Sequence, residues 1–216
     1  VCDDDNIEGY KYVAAESPQC LSDFYHVIDS RLQLFRKVTT VNSLSDEFYT
    51  YLDTLERAAN QTYQSVLTQE FWHQTLDVKV LSPSDFGFHN AIKRNHELFF
   101  IDFEYAGIDS PWKLVADYFS QPAIPLPIEY IMDFIELPKF CFILERKEHF
   151  LKAMKLTLIK WCLIMLNEFK QDTLERRQFA WNNSCFHKIN DEKGREQILN
   201  AQCKQLAKSK SYFEVI

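Results

Sequence analysis

The stretch that decides the fold lies near the middle of the chain and reads LSPSDFGFHN over residues 81–90. It is followed by the apolar run LFFID over residues 98–102. Proline, glycine and serine punctuate the first stretch, which is typical of a loop. The second stretch predicts a short strand that ends on a carboxylate, and residues 78–81 predict another strand just before the loop. We therefore expect two short strands, paired as a hairpin, with Asp85 in the loop between them.

Helical patterns surround this hairpin on both sides. Apolar residues recur at helical spacing after Ser17-Pro18, which we expect to open a helix, and again after Ser45, a residue suited to cap one. Beyond the hairpin the sequence predicts helices at 111–119, 128–136, 139–170, 172–181 and 191–208, with 139–170 split. We expect an irregular lead-in over 1–16, helices over 17–76, the hairpin region over 77–105 and helices over 106–216. The prediction is a mainly helical (α+β) single domain with a small central β-hairpin.

The composition excludes several classes of protein. Aromatic residues make up 15% of the chain, which disordered proteins do not reach, and four glycines are too few for a Gly-rich phosphate loop. The most apolar segment, 151–166, is interrupted by lysines, so we expect no membrane span. Without a basic patch interleaved with aromatics, we expect no nucleic-acid partner. The six cysteines contain no Cys-x-x-Cys pair, which is typical of reduced thiols in a cytoplasmic protein.

The net charge of −7 is unevenly distributed along the chain. Residues 1–138 hold 22 acidic and nine basic residues, whereas residues 139–216 hold nine acidic and 15 basic ones. An acidic half favours a metal ion or a cationic substrate, although a solvated surface accounts for the same pattern.

Three polar residues converge if the hairpin forms. Asp85 lies in the loop, Asn90 follows five positions later, and Asp102 ends the next apolar strand. An aspartate can orient an attacking hydroxyl or accept its proton, while Asn and Asp oxygens suit Mg²⁺. The set therefore favours phosphoryl transfer, which depends on positioning and electrostatics. Taken alone, Asp85 and Asn90 are ordinary turn residues, whereas a carboxylate that ends an apolar strand is costly unless it is bonded or liganded.

These motifs resemble those of the aminoglycoside phosphotransferase/choline kinase family, whose fold is protein-kinase-like. Residues 84–90 resemble its catalytic loop, His-Gly-Asp-x-x-x-x-Asn, and residues 101–104 resemble its metal-binding Ile-Asp-Phe/Trp-Glu/Gly segment. Residues 110–118 are similar to its Asp-Pro-x-x-Asp-Leu-Ala segment. The loop also resembles Ser-Pro-Ser-Asp-Phe-Gly-x-His-Asn, found in a bacterial phosphotransferase-like branch.

The resemblance implies the C-terminal catalytic lobe of a small-molecule kinase that uses Mg²⁺ and ATP or another nucleoside triphosphate. By position, Asp85 would be the catalytic base, and Asn90 and Asp102 would bind the magnesium ion. His89 and Glu104 are candidates to contact these side chains and hold them in place, without touching the substrate or the ion themselves. The acceptor would be a hydroxyl group of a small molecule, with aminoglycosides, choline, amino sugars and sugar-nucleotide or polysaccharide precursors all open.

Three positions depart from the family pattern. Pro83 and Ser84 replace the family's His and Gly, which would change the hydrogen bonds that support the loop. Leu114 replaces the Asp that follows the Pro, which predicts weaker anchoring of the loop. Lys113 and Asp117 are expected to form either a pair on the helix surface or an anchor for the loop.

The segment before residue 80 contains no Gly-rich strand pair and no strand lysine with a partner glutamate on a helix. Kinase-like enzymes use these parts to hold the ATP phosphates. We therefore expect the N-terminal lobe to be absent and the chain alone to be a doubtful catalyst. The alternatives are a non-catalytic kinase-like binding or scaffold module, and a helical regulatory domain unrelated to kinases.

Overall fold

The computed structural model describes residues 11–38, 43–182 and 192–214, and these residues are mainly helical, as predicted. Along the chain they form α1 (Asp23–Arg36), α2 (Ser45–Gln64), β1 (Val80–Ser82), β2 (Ala91–Arg94), β3 (Glu97–Phe100), β4 (Gly107–Asp109), α3 (Pro111–Ser120), α4 (Tyr130–Ile135), α5 (Cys141–Leu144), α6 (Lys147–Met165), α7 (Gln171–Asn182) and α8 (Glu192–Phe213). Short 3₁₀ turns occur at Glu70–His73, Phe88–Asn90, Pro138–Phe140 and Leu166–Phe169. The first ten residues of the predicted lead-in, Cys185 and the predicted helix start at residue 191 lie outside the described residues.

The chain divides into two compact units. Unit 1 contains the chain up to Val27 together with Thr62–Leu158, and unit 2 contains Ile28–Gln61 together with the chain from Ile159 onward. All the residues singled out for chemistry belong to unit 1. The single kinase-like domain stays a prediction.

An aromatic cluster forms the core of unit 1. Trp72 is fully buried, and Trp112 contacts Phe71 and Phe150 at ring-centre distances of 6.1 Å each. Trp72 Nε1 donates to His149 Nδ1 at 2.8 Å, so its one polar atom is satisfied. Burying large rings is the main apolar contribution to stability in a domain of this size.

The core of unit 2 combines stacked rings with a buried polar contact. Phe48 stacks on Phe169 at 4.2 Å with 16° between the ring planes. Tyr51 Oη donates to the main-chain oxygen of Ser209 at 2.8 Å. Burial raises the pKa of the nearby Cys162 thiol to about 12, so this cysteine is an inert, protonated core residue.

The strands form two separate two-stranded sheets. β1 pairs antiparallel with β4, and β2 pairs antiparallel with β3. The central hairpin exists, but the predicted pairing of residues 78–81 with residues 98–102 is wrong. The hairpin is β2–β3, closed by the two-residue turn Asn95-His96, where Asn95 adopts a φ of 57° that asparagine tolerates better than most residues.

Residues 12–14 add to the free edge of β4. Ile108 N donates to Tyr12 O at 2.8 Å, and Ala14 N donates to Ile108 O at 2.9 Å. Gly107 permits this close approach, because a Cβ there would lie 2.5 Å from Ala14 N. This part of the predicted irregular lead-in is therefore fixed to the sheet that carries the start of the Asp85 loop.

None of the helices in the described ranges combines the length and the apolar character that crossing a lipid bilayer requires.

Candidate functional site

Asp85, His89 and Asn90 form one hydrogen-bonded cluster. His89 Nε2 lies 3.1 Å from Asp85 Oδ1. Asn90 Nδ2 lies 3.3 Å from Asp85 Oδ2 and donates to the Asp85 main-chain oxygen at 3.0 Å. Both carboxylate oxygens are therefore oriented by neighbours, while 38% of the Asp85 side chain is exposed. A fixed carboxylate that solvent reaches is one that a bound hydroxyl could also reach.

The imidazole of His89 is packed so that one nitrogen faces Asp85 and the other faces protein. Among the described residues, the buried Nδ1 has no hydrogen-bond partner. A buried N–H without an acceptor is costly, so the favoured tautomer carries its proton on Nε2 and donates it to Asp85. Gly87 provides the space, since a Cβ there would lie 2.7 Å from His89 Nδ1. His89 thus orients the carboxylate through its side chain.

The amide of Asn90 leaves one atom for another ligand. Its nitrogen is used by Asp85, as described above, and its main chain is fixed by Asn90 N donating to Gly87 O at 3.1 Å. The oxygen Oδ1 is then the atom that could bind a hard cation such as Mg²⁺.

Asp102 lies at the same end of the β2–β3 hairpin as Asn90, because Ile101 N donates to Asn90 O at 2.9 Å. Asp102 has a φ of 65°, an uncommon conformation for a residue other than glycine, and its side chain is exposed. It forms no hydrogen bond or ion pair with any described residue. The structure therefore brings the backbones of Asn90 and Asp102 together, and no described residue bonds the Asp102 carboxylate.

Asp102 does not end the apolar strand, contrary to the prediction from the sequence. β3 ends at Phe100, and two of its apolar side chains, Leu98 and Phe99, are 50% and 48% exposed. Asp102 therefore does not end a buried strand, and its carboxylate needs no compensating ligand. Glu104 is also exposed, in the turn after Asp102, and the described residues give it no contact with the Asp85 cluster.

The described residues contain no group of three or more His, Cys, Asp or Glu side chains that could hold a metal ion. The predicted magnesium ligands, Asn90 and Asp102, do not form such a group, since there are two of them and one is an amide. Asn90 Oδ1 and the Asp102 carboxylate are hard oxygen donors of the type that Mg²⁺ prefers, so their chemistry fits the ion. Their metal role stays a prediction.

A buried ion cluster fixes the loop just before Asp85. Lys113 Nζ donates to Asp109 Oδ2 at 2.9 Å and to Ser84 Oγ at 3.0 Å, and lies 3.4 Å from Asp117 Oδ2. Burial of Lys113 favours the neutral amine, but the carboxylates of Asp117 and Asp109 outweigh it and raise the pKa of Lys113. Lys113 and Asp117 were expected to form either a pair on the helix surface or an anchor for the loop. Both residues are buried, so they form the anchor.

Aromatic contacts fix the loop just after Asp85. Phe86 stacks on Tyr118 at 4.8 Å and approaches Phe100 at 4.9 Å, and Phe88 approaches Tyr118 at 5.8 Å. Tyr118 and Lys113 both belong to α3, which starts at the cap Ser110 and the helix-favouring Pro111. α3 therefore contacts the loop both before and after Asp85.

Asp109 was not identified from the sequence, although its spacing was informative. Asp109, Lys113 and Asp117 follow one another at intervals of four, a spacing typical of oppositely charged partners, with Asp109 at the end of β4 and the other two on α3. Leu114 was expected to weaken the anchoring of the loop. That expectation stays a prediction; the structure adds that Asp109, at the end of β4, supplies a carboxylate from outside α3.

Comparison of the chain with protein-family models, with curated proteins and with solved structures found no match in any of the three.

Proposed function

We propose that this chain carries the catalytic residues of a phosphotransferase that moves a phosphoryl group from ATP, or another nucleoside triphosphate, to a hydroxyl group of a small molecule. The observation that carries the proposal is the Asp85–His89–Asn90 cluster. Its carboxylate is held by two neighbours and still exposed, as a residue that orients an incoming hydroxyl must be. The resemblance of residues 81–120 to the aminoglycoside phosphotransferase family supports the same reaction.

In this proposal Asp85 orients the acceptor hydroxyl and accepts its proton as the new oxygen–phosphorus bond forms and the nucleoside diphosphate leaves. His89 donates to one carboxylate oxygen and so keeps Asp85 in place. Asn90 Oδ1 and Asp102 would hold Mg²⁺, whose charge would offset that of the phosphates. Exclusion of water and retention of the nucleotide would come from an N-terminal lobe, which this chain shows no motif for.

The first test measures nucleoside diphosphate release by the full chain with Mg²⁺, ATP and a panel of acceptors: aminoglycosides, choline, amino sugars and sugar-nucleotide precursors. Asp85→Asn keeps the shape of the side chain and removes the base, so we expect turnover to fall by about 10²–10⁴-fold. Asp133→Asn, which changes an exposed aspartate of α4 in the same unit, is the matched control and should leave turnover unchanged. Full turnover in Asp85→Asn would refute the role of Asp85.

A non-catalytic binding or scaffold module is the second candidate, favoured by one observation. Asp102 is exposed and uncontacted by the described residues, so no protein group holds it ready for a metal. Calorimetric titration of the chain with Mg²⁺–ATP separates the two candidates. Heat of binding that is lost in Asn90→Ala and in Asp102→Asn supports the phosphotransferase, whereas an absence of heat in the unaltered chain supports the scaffold.

We place this reaction in the cytoplasm. The described cysteines, Cys20, Cys141, Cys162 and Cys203, are all free thiols, which supports a reducing compartment.

A further inference from the structure

We propose that Ser84 is a positioning residue, whose hydroxyl fixes the backbone from which Asp85 projects. The inference rests on the proposed function of Asp85. It adds a role for a residue to which the resemblance assigns none: the family's His-Gly-Asp loop has glycine at this position, and the bacterial branch has serine.

Ser84 forms hydrogen bonds with three other residues of unit 1. Its Oγ donates to Ala15 O at 3.2 Å and accepts from Lys113 Nζ at 3.0 Å, and its main-chain N donates to Ser82 Oγ at 3.0 Å. A hydroxyl has one proton to donate and two lone pairs to accept with, so both contacts of Oγ can exist at once. The lysine is itself held between two buried carboxylates, so the hydroxyl is fixed to a rigid group.

The backbone of Ser84 makes these contacts informative. Its φ of 68° is a conformation that glycine adopts freely and that other residues adopt at a cost. A serine here is therefore unfavourable unless its side chain compensates for the strain, and Oγ forms the bonds that do so. Strained residues of this kind concentrate at functional sites.

The strain lies one residue from the candidate base. Asp85 N donates to Pro83 O at 2.9 Å, so the turn closes around Ser84 itself. A rotation at Ser84 would move the Asp85 carboxylate relative to His89, which contacts it at 3.1 Å. Loss of the Ser84 hydroxyl should therefore be visible first at the His89 imidazole.

Two substitutions separate the hydroxyl from the strain. Ser84→Ala removes Oγ and keeps the unfavourable φ, whereas Ser84→Gly removes Oγ and relieves the strain. If the hydroxyl positions the loop, the Asp85 carboxylate should move relative to His89 in both variants. If only the backbone conformation matters, Ser84→Gly behaves like the unaltered chain or better. Ser65→Ala is the matched control, because Ser65 Oγ also accepts from a lysine, Lys152 Nζ at 2.7 Å, away from the site.

The test follows the ¹⁵N resonances of the His89 side chain in the full chain, identified by their loss in His89→Asn. We expect Ser84→Ala and Ser84→Gly to shift the Nε2 resonance and to broaden it, and Ser65→Ala to leave it unchanged. A wild-type His89 spectrum in Ser84→Gly would overturn the inference, as would a spectrum that none of the Ser84 variants changes. Urea unfolding of each variant confirms that the spectra come from folded protein.

The kinetic arm distinguishes a failure of this inference from a failure of the proposed function. In a chain that turns over ATP, we expect Ser84→Ala to lower kcat by about 10–100-fold, because small misplacements of a catalytic group have effects of this size. The acceptor KM should stay within about twofold, since Ser84 makes no contact with the acceptor in this proposal. A spectral change in the Ser84 variants together with full turnover in Asp85→Asn would support the positioning by Ser84 and refute the proposed function.

Discussion

Replacing Lys113 by methionine is predicted to destabilise unit 1 strongly. Met has a similar length and no charge, so the substitution leaves the side-chain volume nearly filled. It also removes the ammonium group that contacts both Asp109 and Asp117, which are 0% and 2% exposed. Removing one partner of a buried ion pair costs about 3–5 kcal/mol, because the remaining charge is buried and uncompensated.

A loss of this size is a large part of the stability of a typical domain, which is about 5–15 kcal/mol. With a urea dependence of about 2 kcal/mol per molar, the unfolding midpoint should fall by about 1.5–2.5 M. Hydrogen exchange of the segment 107–120 during the urea titration reports unit 1 alone. Lys152→Met is the control, and we expect a change within about 0.5 kcal/mol because Lys152 bonds an exposed serine.

One further variant tests the cause. The triple variant Lys113→Met, Asp109→Asn, Asp117→Asn has no buried charge in this cluster and should regain most of the lost stability. A triple variant as unstable as Lys113→Met would refute the electrostatic explanation, as would a Lys113→Met variant no less stable than Lys152→Met.

Two other predictions concern residues near this cluster and in the core. Gly87→Ala should lower stability by about 1–3 kcal/mol, because the added Cβ would lie 2.7 Å from His89 Nδ1 and 3.0 Å from Gln121 Cγ. Urea unfolding of the variant and of the unaltered chain measures this loss. His149 Nδ1 accepts a hydrogen bond from Trp72 Nε1, and burial together with Arg146 lowers the pKa of His149. The unfolded chain, with a histidine pKa near 6.5, therefore binds protons more readily, so stability should be full above about pH 6.5 and decline as the pH falls below it. Unfolding curves at pH 7.5 and 5.5 should differ less in His149→Gln, and an undiminished difference would contradict the assignment.

Helix starts show what local sequence can and cannot predict. The helix at 111–119 was predicted almost to the residue, because Ser110 and Pro111 act within a single turn. The helix expected to open at Ser17-Pro18 begins at Asp23 instead. The Asp23 carboxylate accepts from Gln19 N at 2.7 Å and from Cys20 N at 3.0 Å, which holds the preceding residues in a non-helical turn. The predicted division of 139–170 is confirmed, with α5 and α6 separated at Glu145 and Arg146.

For the site, the sequence alone identified the loop residues that the structure joins. Asp85, His89 and Asn90 lie within six positions, and contacts over such short separations are governed by the turn itself. The backbone beside Asp102 meets Asn90 through the pairing of β2 with β3, which was not predicted, and the convergence of the Asp102 side chain with Asp85 stays a prediction.

The sequence by itself determined the helical character of the chain, the start of α3 and the local cluster around Asp85, because each depends on residues a few positions apart. The tertiary structure decided that β1 pairs with β4, that residues 12–14 extend that sheet, and that Lys113 is buried against Ser84. These contacts join residues separated by about 30 to 100 positions, where the gain comes from burial and from register, and neither is encoded in local periodicity. The loop sequence thus determines where the candidate base lies, while the contacts that hold it there come from elements far from it in the chain.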